Sequence, residues 1–281
     1  MQEEPEDSIS ALEPKTFPSE NNSPLPVIDK NMPTNVMLGN EVSDRYKQIA
    51  RQVWRISAKV MLGLVCLSVF FVVVFKFVPP LFTPLMASRS LEAIFSGKDS
   101  HIYYEWTPYE DISPEAALAV VASEDQAFPT HWGFDLGEIK KAVKQNKVRK
   151  RKRGASTITQ QVAKNMFLWN GRSYFRKGLE AYFTILLEVI WGKERILEVY
   201  LNIAETGDRT FGVQAASKRF FGVPAHKISR RQAATLAAVL PNPRRFSARN
   251  PSGYIQGRTN FIVRQIRQLG GTAYLKDLRS F

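Results

Sequence analysis

From Val60 to Phe75 the chain runs VMLGLVCLSVFFVVVF without a single charge. Counted outward across Lys59 and Lys76 to Ile56 and Val78, this stretch reaches the roughly 20 residues that an α-helix needs to cross a bilayer. The two flanking lysines can extend their ammonium groups to the interface. A signal peptide would lie nearer the N-terminus and end in small residues, whereas this stretch ends in Phe77-Val78-Pro79-Pro80. It is expected to be a retained single-pass anchor. Arg45, Lys47, Arg51, Arg55 and Lys59 crowd its N-terminal flank, while Lys76, Arg89 and Lys98 are thinly spread beyond it. That asymmetry predicts a cytoplasmic N-terminus, with everything from about residue 81 onward outside the inner leaflet, in a bacterium the periplasm. Chemistry driven by cytosolic ATP is excluded there.

Residues 1–44 hold nine acids against Lys15 and Lys30 and show no helical or strand period. Such a composition does not repay its ordering entropy, so a disordered acidic tail is expected. The organisation read from the sequence is therefore a tail at 1–44, a basic flank and membrane helix at 45–80, and one extracytoplasmic domain at 81–281. The formal charge of +13 is concentrated in that later part, which should seek an anionic partner. Cys66, the only cysteine, falls in the apolar stretch, so no intrachain disulfide and no cysteine-based metal cluster can form.

The exported part reads as mainly α. Ser113 and Pro114 mark a helix start, and PEAALAVVAS then delivers Glu124 to the helix end. Further helices are predicted at 156–167, 176–191, 193–203, 213–221 and 230–240, with a turn from Gly207 to Gly212. In the helix at 176–191 Leu179, Phe183, Leu186, Leu187 and Ile190 recur at helical spacing, and Glu180 lies beside that stripe. No alternation predicts a large sheet.

The chemistry is concentrated in KRGASTITQQVAKNMF, residues 152–167. Hydroxyls, amides and cations gathered around Gly154 suit an anion, since amide and hydroxyl donors fork onto phosphate oxygens and Gly permits close backbone approach. A polar loop entering a helix, capped by Ser156 or Thr157, is the plainer reading of that stretch alone. Together with SEDQAFPTHWGFD before it and RSYFRKGLEAYFTILLE, ILEVYLN and AAVLPNP after it, however, the stretch resembles the peptidoglycan glycosyltransferase family. The five blocks stand in the family's order from about Ala116 to Pro251. The similarity is to the monofunctional biosynthetic transglycosylases, because the SxxK and KTG motifs of a transpeptidase do not occur.

The resemblance implies a lysozyme-like helical domain that polymerises lipid II into β-1,4-linked glycan strands. Undecaprenyl pyrophosphate would be released by a single inverting displacement. On that basis Glu124 is expected to deprotonate the acceptor 4-hydroxyl, and Glu180 to assist the leaving group, with a divalent cation (Mg or Mn) at the pyrophosphate as an open element and no metal ligands assigned. Lys164 and Arg172 match the family's pyrophosphate-contacting cations, while Gln160 and Gln161 are expected to line the same site. Ser156 and Thr157 are candidate substrate contacts that also suit helix capping. Asp125 and His131 are assigned to scaffold, and Asn202 to holding a turn. Without the family pattern, Glu124 would read as an ion-paired helix end and Glu180 as an exposed partner of Arg176. Lys164 and Arg172 would read as solvated surface charges.

Nine of the fourteen residues from Lys140 to Arg153 are basic. Taken alone this is a nucleic-acid patch, but the expected topology sets it against anionic lipid head groups instead, and no nucleic-acid partner is expected. The partners expected are lipid II, the growing strand and the membrane surface, with cell-wall synthesis or division proteins as further candidates. Ala127 departs from the family, in which a basic residue is common. So does Thr206, where many relatives carry an aromatic residue. Two rival readings are a lysozyme-type hydrolase, which needs no pyrophosphate cations, and a silent membrane scaffold working through residues 1–44.

Overall fold

The computed structural model describes residues 34–148, 154–171 and 173–280. By its contacts the chain divides into two units, Met1–Met61 and Leu62–Phe281. The described part of the first is helical backbone, belonging to α1 (Thr34–Phe77), and its residues 45–61 are exposed. The helix thus begins at Thr34, inside the stretch expected to be tail; residues 1–33 lie outside the described part. Among the described residues one helical stretch, Arg45–Phe77, is long and apolar enough to cross a membrane, with a mean hydropathy of 2.6 over an 18-residue window within it.

The second unit is mainly α, the lysozyme-like helical class expected. In chain order it contains α2 (Pro84–Phe95), α3 (Pro114–Glu124), α4 (Leu136–Asn146), α5 (Ile158–Phe167), α6 (Tyr174–Ile190), α7 (Lys193–Ile203), α8 (Val213–Phe221), α9 (Arg230–Val239) and α10 (Gly253–Gln268). α3 is the central element. Residues Ala116 to Ala122 are all buried, so its sequence is apolar around the whole circumference, and α9, α10 and α7 pack on it. Ser113 caps it with Pro114 in the first turn. Both α5 and α9 start with a complete capping box, Thr157 with Gln160 and Ser229 with Gln232.

Where a plain turn was expected at 207–212 the chain forms a small three-stranded sheet. β1 (Tyr103–Tyr104) pairs in parallel with β3 (Thr210–Phe211), and β3 pairs antiparallel with β2 (Glu205–Gly207). Arg209 takes a positive φ of 50° in the connecting turn. Strands this short carry no alternation to read, and they are fixed by tertiary contact. Asn202 braces the same region: its side chain accepts from the Thr107 N–H at 2.8 Å and donates to the Thr107 carbonyl at 2.9 Å. It is a buried amide holding backbone in place, as expected.

The C-terminal end of α1 belongs to this second unit. The Trp191 indole donates to the Val72 carbonyl at 2.6 Å and the Arg195 guanidinium to that of Phe75 at 2.8 Å. Phe75 is among the last four residues of α1, whose carbonyls have no partner within the helix, which leaves that carbonyl open to such a donor.

Candidate active site

Glu124 is the last residue of α3, and Asp125 follows it as the C-cap. Asp125 is buried and fully engaged: Oδ2 accepts from the Ile158 N–H at 3.0 Å and Oδ1 meets Nε2 of His131 at 2.8 Å. The first N–H groups of a helix have no intrahelical acceptor, so this carboxylate fastens the end of α3 to the start of α5. Both residues are scaffold, as the sequence indicated. The loop that follows His131 packs closely on α6, because a Cβ on Gly133, at φ +74°, would come within 2.6 Å of Thr184. The Thr157 hydroxyl donates to the Gly133 carbonyl at 2.6 Å.

The junction aims the Glu124 carboxylate at Gln161, whose amide nitrogen donates to it at 3.1 Å. The amide oxygen of Gln161 in turn accepts from the Tyr200 hydroxyl at 3.1 Å, which fixes the amide's orientation. Burial pushes the Tyr200 hydroxyl well above its usual range, so it remains a donor. Burial also raises Glu124, opposed by the Gln161 hydrogen bond and by the charges of Arg258 and Lys164, and assisted by Asp125. Arg258 Nη2 lies 3.8 Å from the carboxylate.

Two clefts flank the Glu124–Gln161 pair, Glu124 lining the first and Gln161 the second. One, of about 380 Å³, is lined by Glu124, Asp125, Gln126, Asp135, Lys141 and the 154–157 segment. The other, of about 230 Å³, is lined by Gln161, Lys164, Asn165, Trp169 and Arg176, with Leu85 and Arg89 of α2 and Glu205 of β2. Volumes near or below the lower end of the usual ligand-pocket range mean that each holds part of a substrate rather than all of it. In the second cleft burial lowers Lys164, with Glu180 opposing and Arg176 and Lys177 reinforcing that shift. The Nε groups of Arg176 and Arg258 are buried with no hydrogen-bond partner among the described residues. Arg176, which lines the second cleft, thus offers it a cationic donor suited to an anion.

Glu180 is buried, not the exposed helix-surface acid that its spacing alone allowed. It pairs with Arg176 at 3.3 Å and with Lys177. A divalent cation would need carboxylate oxygens free to ligate it, whereas these two are engaged by cations, and no group of three or more His, Cys, Asp or Glu side chains gathers among the described residues. The described residues do not fit a metal site at this position.

The structure brings Glu124, Gln161, Lys164 and Glu180 together. Ser156 and Thr157 line the first cleft, Thr157 from a buried capping position. Gln160 is a correction: its side chain turns back to accept from the Thr157 N–H at 3.0 Å, so it lines neither cleft. The capping box claims that glutamine and leaves the next one for the site. Arg172 lies outside the described residues. Arg89, Arg176 and Arg258 were not singled out from the sequence as site residues. Arg176 was legible only as the i−4 partner of Glu180, and nothing local to Arg89 or Arg258 signals the site.

A family model described as Transglycosylase matches residues 91–267. The chain is 55% identical over 211 residues to a biosynthetic peptidoglycan transglycosylase of Pseudomonas entomophila, covering 75% of this chain and 89% of that protein. It is 52% identical over 223 residues to one of Pseudomonas putida, covering 79% and 94%, and 50% identical over 222 residues to one of Stutzerimonas stutzeri, covering 79% and 92%. The matched segment encloses Glu124, Gln161, Lys164 and Glu180 within one order of motifs, and the chain therefore belongs to the transglycosylase family and is a glycosyltransferase.

Proposed function

We propose that this peptidoglycan glycosyltransferase of cell-wall synthesis polymerises lipid II and releases undecaprenyl pyrophosphate. The observation that carries this reading is the partly buried carboxylate of Glu124, which lines the roomier cleft and is hydrogen-bonded to Gln161, a wall of the neighbouring cleft that carries Lys164 and Arg176. An acceptor sugar in the roomier cleft would bring its 4-hydroxyl to Glu124. The 4-oxygen attacks the anomeric carbon of the donor, its proton passes to Glu124, and the bond from that carbon to the pyrophosphate oxygen breaks. Attack opposite the leaving group turns an α-linked donor into a β-1,4 linkage in one inverting step.

Lys164 and Arg176 face the leaving pyrophosphate in this reading, and Glu180 holds Arg176 and Lys177 in place behind it. Cations pre-set where negative charge develops need no reorganisation at the moment of reaction. Arg172 belongs to the same group by its match to the family. Lysozyme-type hydrolysis would leave Lys164 and Arg176 without a purpose, which favours transfer from a pyrophosphate. The apolar helix and its basic N-terminal flank support an anchor with the catalytic unit on the periplasmic side of the inner membrane. The test is purified full-length protein with labelled lipid II, the products resolved by length. Glycan ladders that disappear in Glu124→Gln support the reading; cleavage of finished strands by the parent, with no ladder from lipid II, would replace it with the hydrolase.

A further inference from the structure

Glu205 is out of place for a cleft that receives an anion. It lies on β2, is buried, and lines the same cleft as Lys164 and Arg176. An unpaired carboxylate there would repel a pyrophosphate and carry a large desolvation cost. Arg89 answers it from α2: its Nε donates to Oε1 at 3.2 Å and Oε2 at 3.0 Å, and its Nη2 donates to Oε2 at 2.9 Å. Burial still pushes the Glu205 carboxyl up, with Arg89 as the main opposing influence and the Arg209 backbone and Arg244 as lesser ones.

α2 comes next after the long apolar helix in the chain, and it forms a wall of the cleft through Leu85 and Arg89. Other bonds fasten the same helix. The Asn170 amide donates to the Ser88 hydroxyl at 2.6 Å, and Glu92 pairs with Arg244 at 2.8 Å. Those contacts already attach α2 without adding a negative charge to the cleft lining. The Arg89–Glu205 pair is different, because both of its charges line the cleft.

We propose that Arg89 is a positioning residue for the donor: it cancels the charge of Glu205, so that α2 can be latched to β2 inside an anion-binding cleft without repelling the anion. Arg89 stands just ahead of the segment that the family model matches. The proposal rests on reading this cleft as the pyrophosphate site. It distinguishes charge compensation from direct contact with the donor and from simple strapping of a helix.

The test is a double-mutant cycle on the full-length chain in detergent, with Arg89→Gln, Glu205→Gln, the two combined, and Arg89→Lys. The readouts are the lipid II concentration at half-maximal rate, binding of inorganic pyrophosphate by calorimetry, and thermal unfolding. Arg89→Gln should raise the half-saturating concentration roughly tenfold and weaken pyrophosphate binding to match, the scale of one uncompensated charge at close range in a partly buried site. Glu205→Gln should bind pyrophosphate at least as well as the parent. The double variant should return toward the parent, and Arg89→Lys should stay near it.

A double variant as impaired as Arg89→Gln would overturn the proposal in favour of direct contact. Parallel losses in all the variants, tracking their unfolding temperatures, would reduce the pair to a strap. Should Arg89→Gln not fold, Glu205→Gln still decides: weakened pyrophosphate binding by that variant sinks the idea. Failure of the parent to use lipid II would count against the functional reading, while the pyrophosphate arm still judges the pair.

Discussion

Glu124 and Lys164 are displaced toward each other in titration, and both displacements begin with burial. As the proposed base, Glu124 must be ionised to accept the acceptor proton, so its raised carboxyl moves the acid limb of the rate profile upward. A cation must stay protonated, so a lowered lysine moves the alkaline limb below the usual lysine range. The expected profile of turnover against pH is a bell narrower on both sides than unperturbed groups would give. Glu124→Gln should lower turnover by about 10² to 10⁴-fold. Its effect on stability has a definite sign. A carboxyl whose folded pKa is raised contributes stability below its unfolded pKa and loses it as pH rises through the folded value, so at neutral pH the ionised form is a burden. The amide should unfold at the same temperature as the parent or higher; a large drop would mean that Glu124 serves the fold. Lys193 is the contrasting residue, since it is buried beside buried Glu188 at 2.8 Å, donates to the His131 carbonyl and lies over the Phe128 ring. Lys193→Met leaves Glu188 as an uncompensated buried charge and should destabilise by about 3 to 5 kcal/mol. Much of that loss should be recovered by adding Glu188→Gln, as read from melting in detergent.

At the scale of elements, the site depends on the junction of α3 with α5. Asp125→Ala removes the acceptor for the Ile158 N–H and the partner of His131, which should cost on the order of 1 to 3 kcal/mol and loosen the aim of Glu124. The expected kinetic result is a lower turnover number with little change in half-saturating substrate; a change confined to saturation would place Asp125 on the substrate instead. This junction also shows what was legible in the sequence. Ser113-Pro114 and Thr157 to Gln160 are local signals, so helix starts and the delivery of Glu124 to a helix end could be read from neighbours in the chain. The glutamine pair was not resolved that way, because only the capping box in three dimensions shows that Gln160 turns back while Gln161 faces the carboxylate. The hairpin at 205–211 escaped because its strands are too short to show alternation, and the pairing of β3 with β1 and the contribution of Arg89 to the cleft escaped because their partners lie far along the chain. α10 and α4 were also missed, since basic and polar residues interrupt their apolar periods and Gly253 opens the former. Arg258 reaches Glu124 from α10, so missing that helix meant missing the arginine.

For the whole molecule, charge outside the clefts would serve the proposed lipid-linked substrate. α4 carries Lys140, Lys141 and Lys144, of which Lys141 pairs with Glu138 at 2.9 Å. The basic run then continues through Lys147 to the 149–153 segment, which lies outside the described residues. Exposed cations near an anionic leaflet contribute about 1 kcal/mol each and are screened within roughly 8 to 10 Å at ordinary salt. Attraction of that kind concentrates the enzyme at the surface where lipid II resides and leaves the chemical step untouched. Neutralising Lys147, Arg149, Lys150, Arg151 and Lys152 together should therefore reduce lipid II polymerisation in anionic vesicles much more than in neutral detergent, and added salt should shrink the gap between parent and variant. Equal impairment in both media with no effect of salt would transfer the run from the membrane surface to the substrate or the fold. Activity retained in both media would show that the anchor alone holds the site at the bilayer.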